Sequence, residues 1–171
     1  MSAKRARIAI ADLNGDGNLD ALLTGPLDFD GAFDTGGFYL WAGAGPVGSV
    51  TPAATLRVPG AASFDNLTSA RLVDLDDDGL LDVLAYSIYV EGPVTDAGAM
   101  FVWYGGVGLS GLRAQDARLG LVDGSTGSLL TSYGVHLGDL DHDGRLDIAA
   151  AAPWYGPGRV HVYRSPGRFA G

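Results

Sequence analysis

Short apolar runs alternate along the chain with clusters of Gly, Pro and Asp, and no stretch repeats its apolar residues with a convincing helical period. Three times, an apolar run ends at an aspartate, a loop rich in Asp and Gly follows, and a second apolar run begins beyond it. The predicted strand pairs are 8–11 with 21–24, 70–73 with 83–87, and 135–138 with 148–151. The pattern predicts β-structure in which each Asp/Gly loop connects two strands.

These strand pairs belong to a repeat with a period of about 60 residues. The segments "IAIADLNGDGNLDALLTG" (8–25), "ARLVDLDDDGLLDVLAYS" (70–87) and "VHLGDLDHDGRLDIAAAA" (135–152) align without gaps on the pattern D-L-[DN]-x-D-G-x-L-D. An aromatic strand follows in each copy: "GFYLWAG" (37–43), "AMFVWYGG" (99–106) and "GRVHVYRS" (158–165). A fourth apolar run, at 55–58 or 117–121, completes the first two copies.

Four antiparallel strands repeated at this spacing are typical of the blades of a β-propeller. We therefore expect an all-β chain of three blades, over about 7–60, 69–124 and 133–171, with an Asp/Gly loop between the first two strands of each. The third blade is expected to be incomplete, because the final residues offer at most a stub of a fourth strand. This interpretation predicts eleven strands.

The amino-acid composition excludes some kinds of partner and some kinds of site. Its formal charge of −9 argues against nucleic acid as a partner, and the absence of cysteine excludes disulfides and thiolate metal sites. Of its 20 acidic residues only Glu91 is a glutamate, and aspartate is a turn-forming and cation-binding residue. No apolar run is long enough to span a membrane, and no signal peptide is recognisable. We expect a soluble chain without an export signal, either a cleaved mature product or a piece of a longer secreted protein.

The aspartate loops have the spacing of a calcium-binding loop. Side chains at positions 1, 3 and 5 converge on one point when the chain coils around it, and glycine at position 6 permits the sharp turn. Position 7 varies, as expected if it offers only its backbone carbonyl, and position 9 supplies a closing carboxylate. The leucines at positions 2 and 8 are expected to attach the loop to the core. Three calcium ions would offset most of the negative charge.

Other kinds of aspartate loop fit less well. An EF-hand or dockerin loop needs flanking helices, and an EF-hand places an acid at position 12, where this chain has Leu23, Ala85 or Ala150. Thrombospondin-type aspartate repeats are usually cysteine-linked and lack intervening strands. The remaining alternative is that a loop is a solvated Asp-Gly turn that binds no metal. This interpretation stays open for any one loop and is weaker for all three loops together.

The repeats resemble the FG-GAP (VCBS-like) repeats of integrin α-subunit β-propellers and their bacterial relatives. The third copy is most similar: Tyr133-Gly134 stand for the Phe-Gly, and Ala151-Ala152-Pro153 for the Gly-Ala-Pro. The first copy keeps only Gly25-Pro26, and the second has lost that ending. The resemblance implies three Ca²⁺ sites with these ligands: Asp12, Asn14, Asp16, Asn18 and Asp20; Asp74, Asp76, Asp78, Leu80 and Asp82; Asp139, Asp141, Asp143, Arg145 and Asp147. Asn18, Leu80 and Arg145 would bind through their carbonyls, while Asp77 and His142 would face solvent.

No catalytic constellation is recognisable, so we expect a protein that is not an enzyme. The G-x-G-x-x-G matches at 43–48 and 106–111 open no helix and are interpreted as hairpin loops. Trp41, Trp103 and Tyr163 occupy matching places and are expected to pack within the sheets.

Partner binding is expected at the end of the blades opposite the aspartate loops, where the family binds its partners. The candidate residues there are Phe29, Phe33, Tyr89, Glu91, Trp154 and Tyr155. The resemblance predicts an extracellular or cell-surface calcium-stabilised module that binds protein or glycan, with structural rather than catalytic Ca²⁺. The alternative is an accessory propeller of a larger secreted enzyme, such as a polysaccharide lyase or phospholipase.

Three blades are too few to form a ring, because propellers typically use 4–8. The expectation is therefore a homodimer that closes a six-bladed ring, or a fragment of a longer propeller. Neither nucleic acid nor membrane insertion is expected.

Overall fold

The structure is a computed structural model of the chain, and its description covers the following residues: 7–25, 32–43, 51–61, 65–67, 69–90, 96–120, 129–154 and 156–170. These residues form strands, turns and loops and no helix. The all-β fold predicted from the apolar pattern is confirmed. Each predicted strand is present, with ends that differ by at most three residues.

The strands lie in three sheets, each built around one copy of the repeat, and we term them blades 1, 2 and 3. Blade 1 consists of β1 (Arg7–Ala11), β2 (Asp20–Gly25), β3 (Gly37–Trp41) and β4 (Ala54–Arg57). Blade 2 consists of β5 (Ser69–Val73), β6 (Asp82–Ser87), β7 (Ala99–Trp103) and β9 (Ala117–Gly120). Blade 3 consists of β10 (Val135–Gly138), β11 (Asp147–Ala152) and β12 (Arg159–Tyr163). Neighbouring strands within each blade are antiparallel.

A twelfth strand, β8 (Gly111–Ala114), was not predicted, so the expectation of eleven strands is wrong. It lies in the connection between β7 and β9 of blade 2, but it pairs in parallel with β4 at the edge of blade 1. Most of its residues are exposed, and its four residues (GLRA) are too few to show the alternation of apolar and polar positions that predicts a strand. Main-chain hydrogen bonding to a neighbouring blade defines this strand, and a local sequence pattern does not report such pairing.

Two hydrophobic clusters lie between the blades, and blade 2 contributes to both. Alternation along β7 shows how: Phe101 and Trp103 belong to the cluster shared with blade 1, whereas Met100 and Val102 belong to the cluster shared with blade 3. All five residues of β7 are buried, because both faces of the sheet are covered. The aspartate loops therefore extend from a packed stack of sheets.

A repeated turn joins each linker to the blade that precedes it. Before β3 and before β7, Gly36 and Gly98 have φ of 79° and 78°, in the left-handed region that favours glycine. Leu67 donates its N–H to the carbonyl of Thr35 (3.0 Å), and Leu130 donates to Ala97 at the same distance. A Cβ on Gly98 would lie 2.4 Å from the carbonyl oxygen of Leu130, so no other residue fits without movement of the backbone.

Candidate metal centres in the aspartate loops

The three aspartate loops connect their strands in the same register. Ala11 pairs with Asp20, Val73 with Asp82, and Gly138 with Asp147. In every blade, the residue before the first aspartate therefore lies opposite the ninth residue of the loop. The shared register makes the nine positions structurally equivalent, as their alignment in the sequence predicted.

The aspartate at position 1 holds the turn of each loop through backbone hydrogen bonds. Asp12 accepts from the N–H of Gly17 at 2.9 Å, Asp74 from Gly79 at 2.9 Å, and Asp139 from Gly144 at 3.0 Å. These donors are the glycines at position 6. They have φ of 83°, 88° and 90°, so the predicted turn residue does adopt the left-handed conformation.

The aspartate at position 5 binds the backbone two residues later. The N–H of Asn18, Leu80 and Arg145 donates to the carboxylate of Asp16, Asp78 and Asp143, respectively, at 2.8–2.9 Å. Position 7 is thus held beside position 5. Ligation through the carbonyls of these three residues stays a prediction.

The closing carboxylate at position 9 is the buried member of each loop. Asp20, Asp82 and Asp147 are no more than 1% exposed. One oxygen of each accepts from the backbone of position 2, as in Leu75 N–H to Asp82 at 2.7 Å. The other accepts from the chain just beyond the third strand, as in Gly105 N–H to Asp82 at 2.8 Å. The closing aspartate therefore fastens the loop to the third strand, a role that the spacing alone did not reveal.

Two of the three loops bring carboxylates close together. One oxygen each of Asp74, Asp76 and Asp78 lie within 4.8 Å of one another, and the same holds for Asp139, Asp141 and Asp147. Asp82 and Asp143 are not members of these groups. In the first loop, Asn14 replaces an aspartate, and its amide nitrogen donates to Asp16 at 3.1 Å. Among the described residues, the aspartates of that loop form no comparable group.

The second loop contains a buried carboxylate oxygen that no described residue satisfies. The Asp76 side chain is 7% exposed, and its Oδ1 has no hydrogen-bond partner within the described part of the chain. Its Oδ2 accepts from Arg168 at 2.6 Å, and the same guanidinium lies 3.6 Å from Asp78 and 4.3 Å from the centre of the Tyr104 ring. A buried carboxylate oxygen without a donor is costly, and a bound cation would remove that cost.

The electrostatics of the second loop also favour a cation. Burial raises the pKa of Asp82 to about 6, against the opposing effect of its hydrogen bonds from Gly105 and Leu75. The negative charges of Asp76 and Asp78 raise the pKa further. An ion among these carboxylates would act in the opposite direction, because positive charge stabilises their ionised forms.

The variable position 4 has a backbone constraint that the sequence did not reveal. Gly15, Asp77 and His142 have φ of 77°, 61° and 63°, and Asp and His are among the residues that enter this region most readily. Asp77 and His142 are exposed, which confirms the expectation that they face solvent.

The expectation that every loop leucine attaches to the core is wrong for Leu140 and Leu19. Leu13 and Leu75 are buried at position 2, but Leu140 is 54% exposed. Leu81 packs against the core from position 8, but Leu19 is 67% exposed. Leu13 and Leu75 pack towards the following blade, and Leu81 packs towards the preceding one. Leu140 and Leu19 therefore lie at the two ends of the stack, where no described blade covers them.

The opposite end of the blades presents exposed aromatic side chains. Phe33 precedes β3, Tyr89 follows β6 and Trp154 follows β11, and they are 64%, 45% and 66% exposed. The three other residues predicted for this face, Phe29, Glu91 and Tyr155, lie outside the described residues. Between Tyr89 and Thr131 lies a pocket of about 340 Å³.

Comparison with known proteins finds a similarity over the third blade. Residues 132–163, which contain β10, the third aspartate loop, β11 and β12, match the model of the FG-GAP repeat. This part of the chain is therefore similar to an FG-GAP repeat. The match falls on the copy that the sequence predicted to be the most similar. Among the described residues, no helix has the length and apolarity needed to cross a membrane.

Integrin α chains are similar over more of the sequence. Integrin alpha-PS5 of Drosophila melanogaster is 29% identical over 168 aligned residues, which cover 92% of this chain. Integrin alpha-3 of Cricetulus griseus and of Mus musculus are each 34% identical over 99 residues, or 57% of this chain. The chain spans 15% of the length of the first relative and 9% of the other two. The predicted resemblance to integrin-type FG-GAP repeats is confirmed.

Proposed function

We propose that the chain is a calcium-binding β-propeller interaction module, in which Ca²⁺ stabilises the aspartate loops and takes no part in catalysis. Two observations on the second loop carry the proposal: Asp74, Asp76 and Asp78 bring carboxylate oxygens close together, and a buried oxygen of Asp76 has no partner among the described residues. Several carboxylates in a flexible loop are the ligands that Ca²⁺ prefers, whereas Mg²⁺ demands a stricter octahedral geometry.

The three loops are expected to differ in affinity. The second and third loops would hold the ion with the aspartates at positions 1, 3, 5 and 9 and the carbonyl of Leu80 or Arg145. The first loop has one carboxylate fewer, and the amide of Asn14 must turn its oxygen inwards to act as a ligand. Because calcium affinity depends on the number of charged ligands, we expect the first loop to bind most weakly.

The proposed site of partner binding is the end of the blades that carries Phe33, Tyr89 and Trp154. Loops on a rigid scaffold commonly carry binding residues, and exposed aromatic side chains are enriched at interfaces. The similarity to integrin α chains supports a protein or glycan partner and an extracellular location. Dissociation constants on the order of 10⁻⁴–10⁻³ M, as in extracellular calcium modules, would fit that location.

Calcium titration tests the metal sites. Isothermal titration calorimetry of the chelator-treated chain should detect Ca²⁺ binding at up to three sites, and Asp78→Ala should remove one of them. Asp77→Asn is the matched control, because it removes one charge from the same loop at an exposed position and retains a residue that tolerates the left-handed backbone. Equal binding by the two variants, or no Ca²⁺ binding by the wild-type chain, would contradict the proposal.

A further inference from the structure

The face that each blade presents to the following blade is built from equivalent residues. In blade 1 these residues are Leu13, Leu22, Phe38 and Leu40, and in blade 2 they are Leu75, Leu84, Met100 and Val102. All eight are buried in the clusters between the blades. The equivalent residues of blade 3 are Leu140, Ala149, Val160 and Val162, which we term the leading flank. Val160 is 68% exposed, since no described blade follows.

The opposite face of each blade shows the complementary pattern. Blade 2 presents Val83, Ala85, Phe101 and Trp103 to blade 1, and blade 3 presents Val135, Ile148 and Ala150 to blade 2. The corresponding residues of blade 1 are Ile8, Ile10, Ala21, Leu23, Tyr39 and Trp41, which we term the trailing flank. Strand register places them on one face of the sheet, and Ile8 and Ile10 are 70% and 57% exposed.

Both interfaces inside the chain therefore join a leading face to a trailing face. Within the described part of the chain, one face of each kind stays unpaired. Both of these faces carry apolar side chains at the positions that are buried between blades 1 and 2 and between blades 2 and 3. Contiguous apolar surfaces of this kind mark interaction sites on soluble proteins. A second copy of the chain offers the matching face for each flank, by the same contact that already joins the blades.

We propose that two copies of this chain associate head to tail, with the leading flank of each copy packed against the trailing flank of the other. The two contacts are identical, so a two-fold axis relates the copies and the assembly closes. Two sets of three blades supply six, within the range that forms propeller rings. The inference concerns the ends of the stack and is independent of metal binding in the aspartate loops.

Sedimentation or light scattering of the isolated chain at micromolar concentration tests this assembly. The wild-type chain should behave as a particle of twice its mass of 17.6 kDa. Ile10→Lys on the trailing flank and Val160→Glu on the leading flank should each convert the dimer to a monomer, because each places an unpaired charge in both contacts. Val107→Glu is the control: Val107 is 92% exposed in the loop after β7 of the middle blade and belongs to neither flank, so its variant should remain a dimer.

Mixing the two flank variants distinguishes a head-to-tail contact from other arrangements. In an equimolar mixture, one contact joins two unchanged flanks and the other places the new lysine opposite the new glutamate, so dimers should reappear. Circular dichroism should show that both variants fold, since each changed side chain is exposed in the single chain. A monomeric wild-type chain, a particle larger than two copies, or variants that stay monomeric when mixed would each overturn the proposal.

Discussion

Arg168 lies where a cation bound in the second aspartate loop would compete with it. Its guanidinium is 2.6 Å from Asp76 and 3.6 Å from Asp78, two predicted ligands of that loop. The guanidinium also stacks over the ring of Tyr104, at 4.3 Å from the ring centre. A calcium ion that takes both carboxylates must displace this side chain. Arg168→Ala should therefore strengthen calcium binding at the second loop.

The contacts of Arg168 set the size of the expected effect. The side chain is 57% exposed, so its ion pair is screened by solvent and is worth about 0.2–1 kcal/mol. Its cation–π contact adds about 0.5–1 kcal/mol if the calcium-bound state loses it as well. Together these contacts give about 0.7–2 kcal/mol, which corresponds to calcium binding that is roughly 3- to 30-fold tighter.

Calorimetry can isolate the second loop if Asp16→Ala and Asp143→Ala first disable the other two. Arg164→Ala, measured in the same background, is the control, because it makes the same change in charge but contacts Asp141 in the third loop, at 3.5 Å. We expect the Arg168 variant to bind calcium more tightly than this control. Equal affinities, or weaker binding by the Arg168 variant, would refute the competition between Arg168 and the ion.

Two further predictions concern stability, measured by thermal or urea unfolding. Gly98→Ala should destabilise the fold by about 2 kcal/mol or more, because the new methyl group meets the carbonyl oxygen of Leu130 at 2.4 Å. Gly60→Ala is the control, because Gly60 has a similar φ but no atom within 4 Å of the added methyl group, and it should cost only about 1 kcal/mol. Equal losses of stability would contradict the steric argument. Tyr163→Phe should be neutral or stabilising, since burial raises the pKa of the phenol to about 12 and its hydroxyl has no partner among the described residues. Tyr104→Phe should instead destabilise the fold by about 1 kcal/mol, because it removes the hydrogen bonds between the Tyr104 hydroxyl and the backbone of Phe169. Equal losses of stability for the two tyrosine variants would contradict this prediction.

Local periodicity was sufficient to predict eleven of the twelve strands. Apolar runs such as those of β6 and β7 are buried on both faces, so their sequences carry a strong signal. The spacing of the aspartates was equally informative, because the loop geometry depends on residues only a few positions apart. In contrast, β8 pairs with a distant strand in another blade and buries little of its own surface.

Long-range contacts also explain what the sequence missed at the candidate sites. Arg168 reaches Asp76 across 92 residues of chain, and no spacing rule relates two such positions. The exposure of Leu140 depends on whether another blade follows, which its own repeat does not specify. The segment after β12 was expected to form at most a stub of a strand, and residues 164–170 form none. Phe169 of this segment is nevertheless buried in the cluster between blades 2 and 3.

The central claim is that the aspartate loops bind calcium and that the ion stabilises the folded chain. Thermal unfolding of the chelator-treated protein tests it most directly, at one protein concentration, in EDTA, in magnesium and in calcium. At about 10 mM calcium, dissociation constants on the order of 10⁻⁴–10⁻³ M give about 1.4–2.7 kcal/mol for each occupied site. For a chain of this size, we expect the midpoint to rise by roughly 3–10 °C per site, with a much smaller rise in magnesium. An identical midpoint in EDTA and in calcium would contradict the claim.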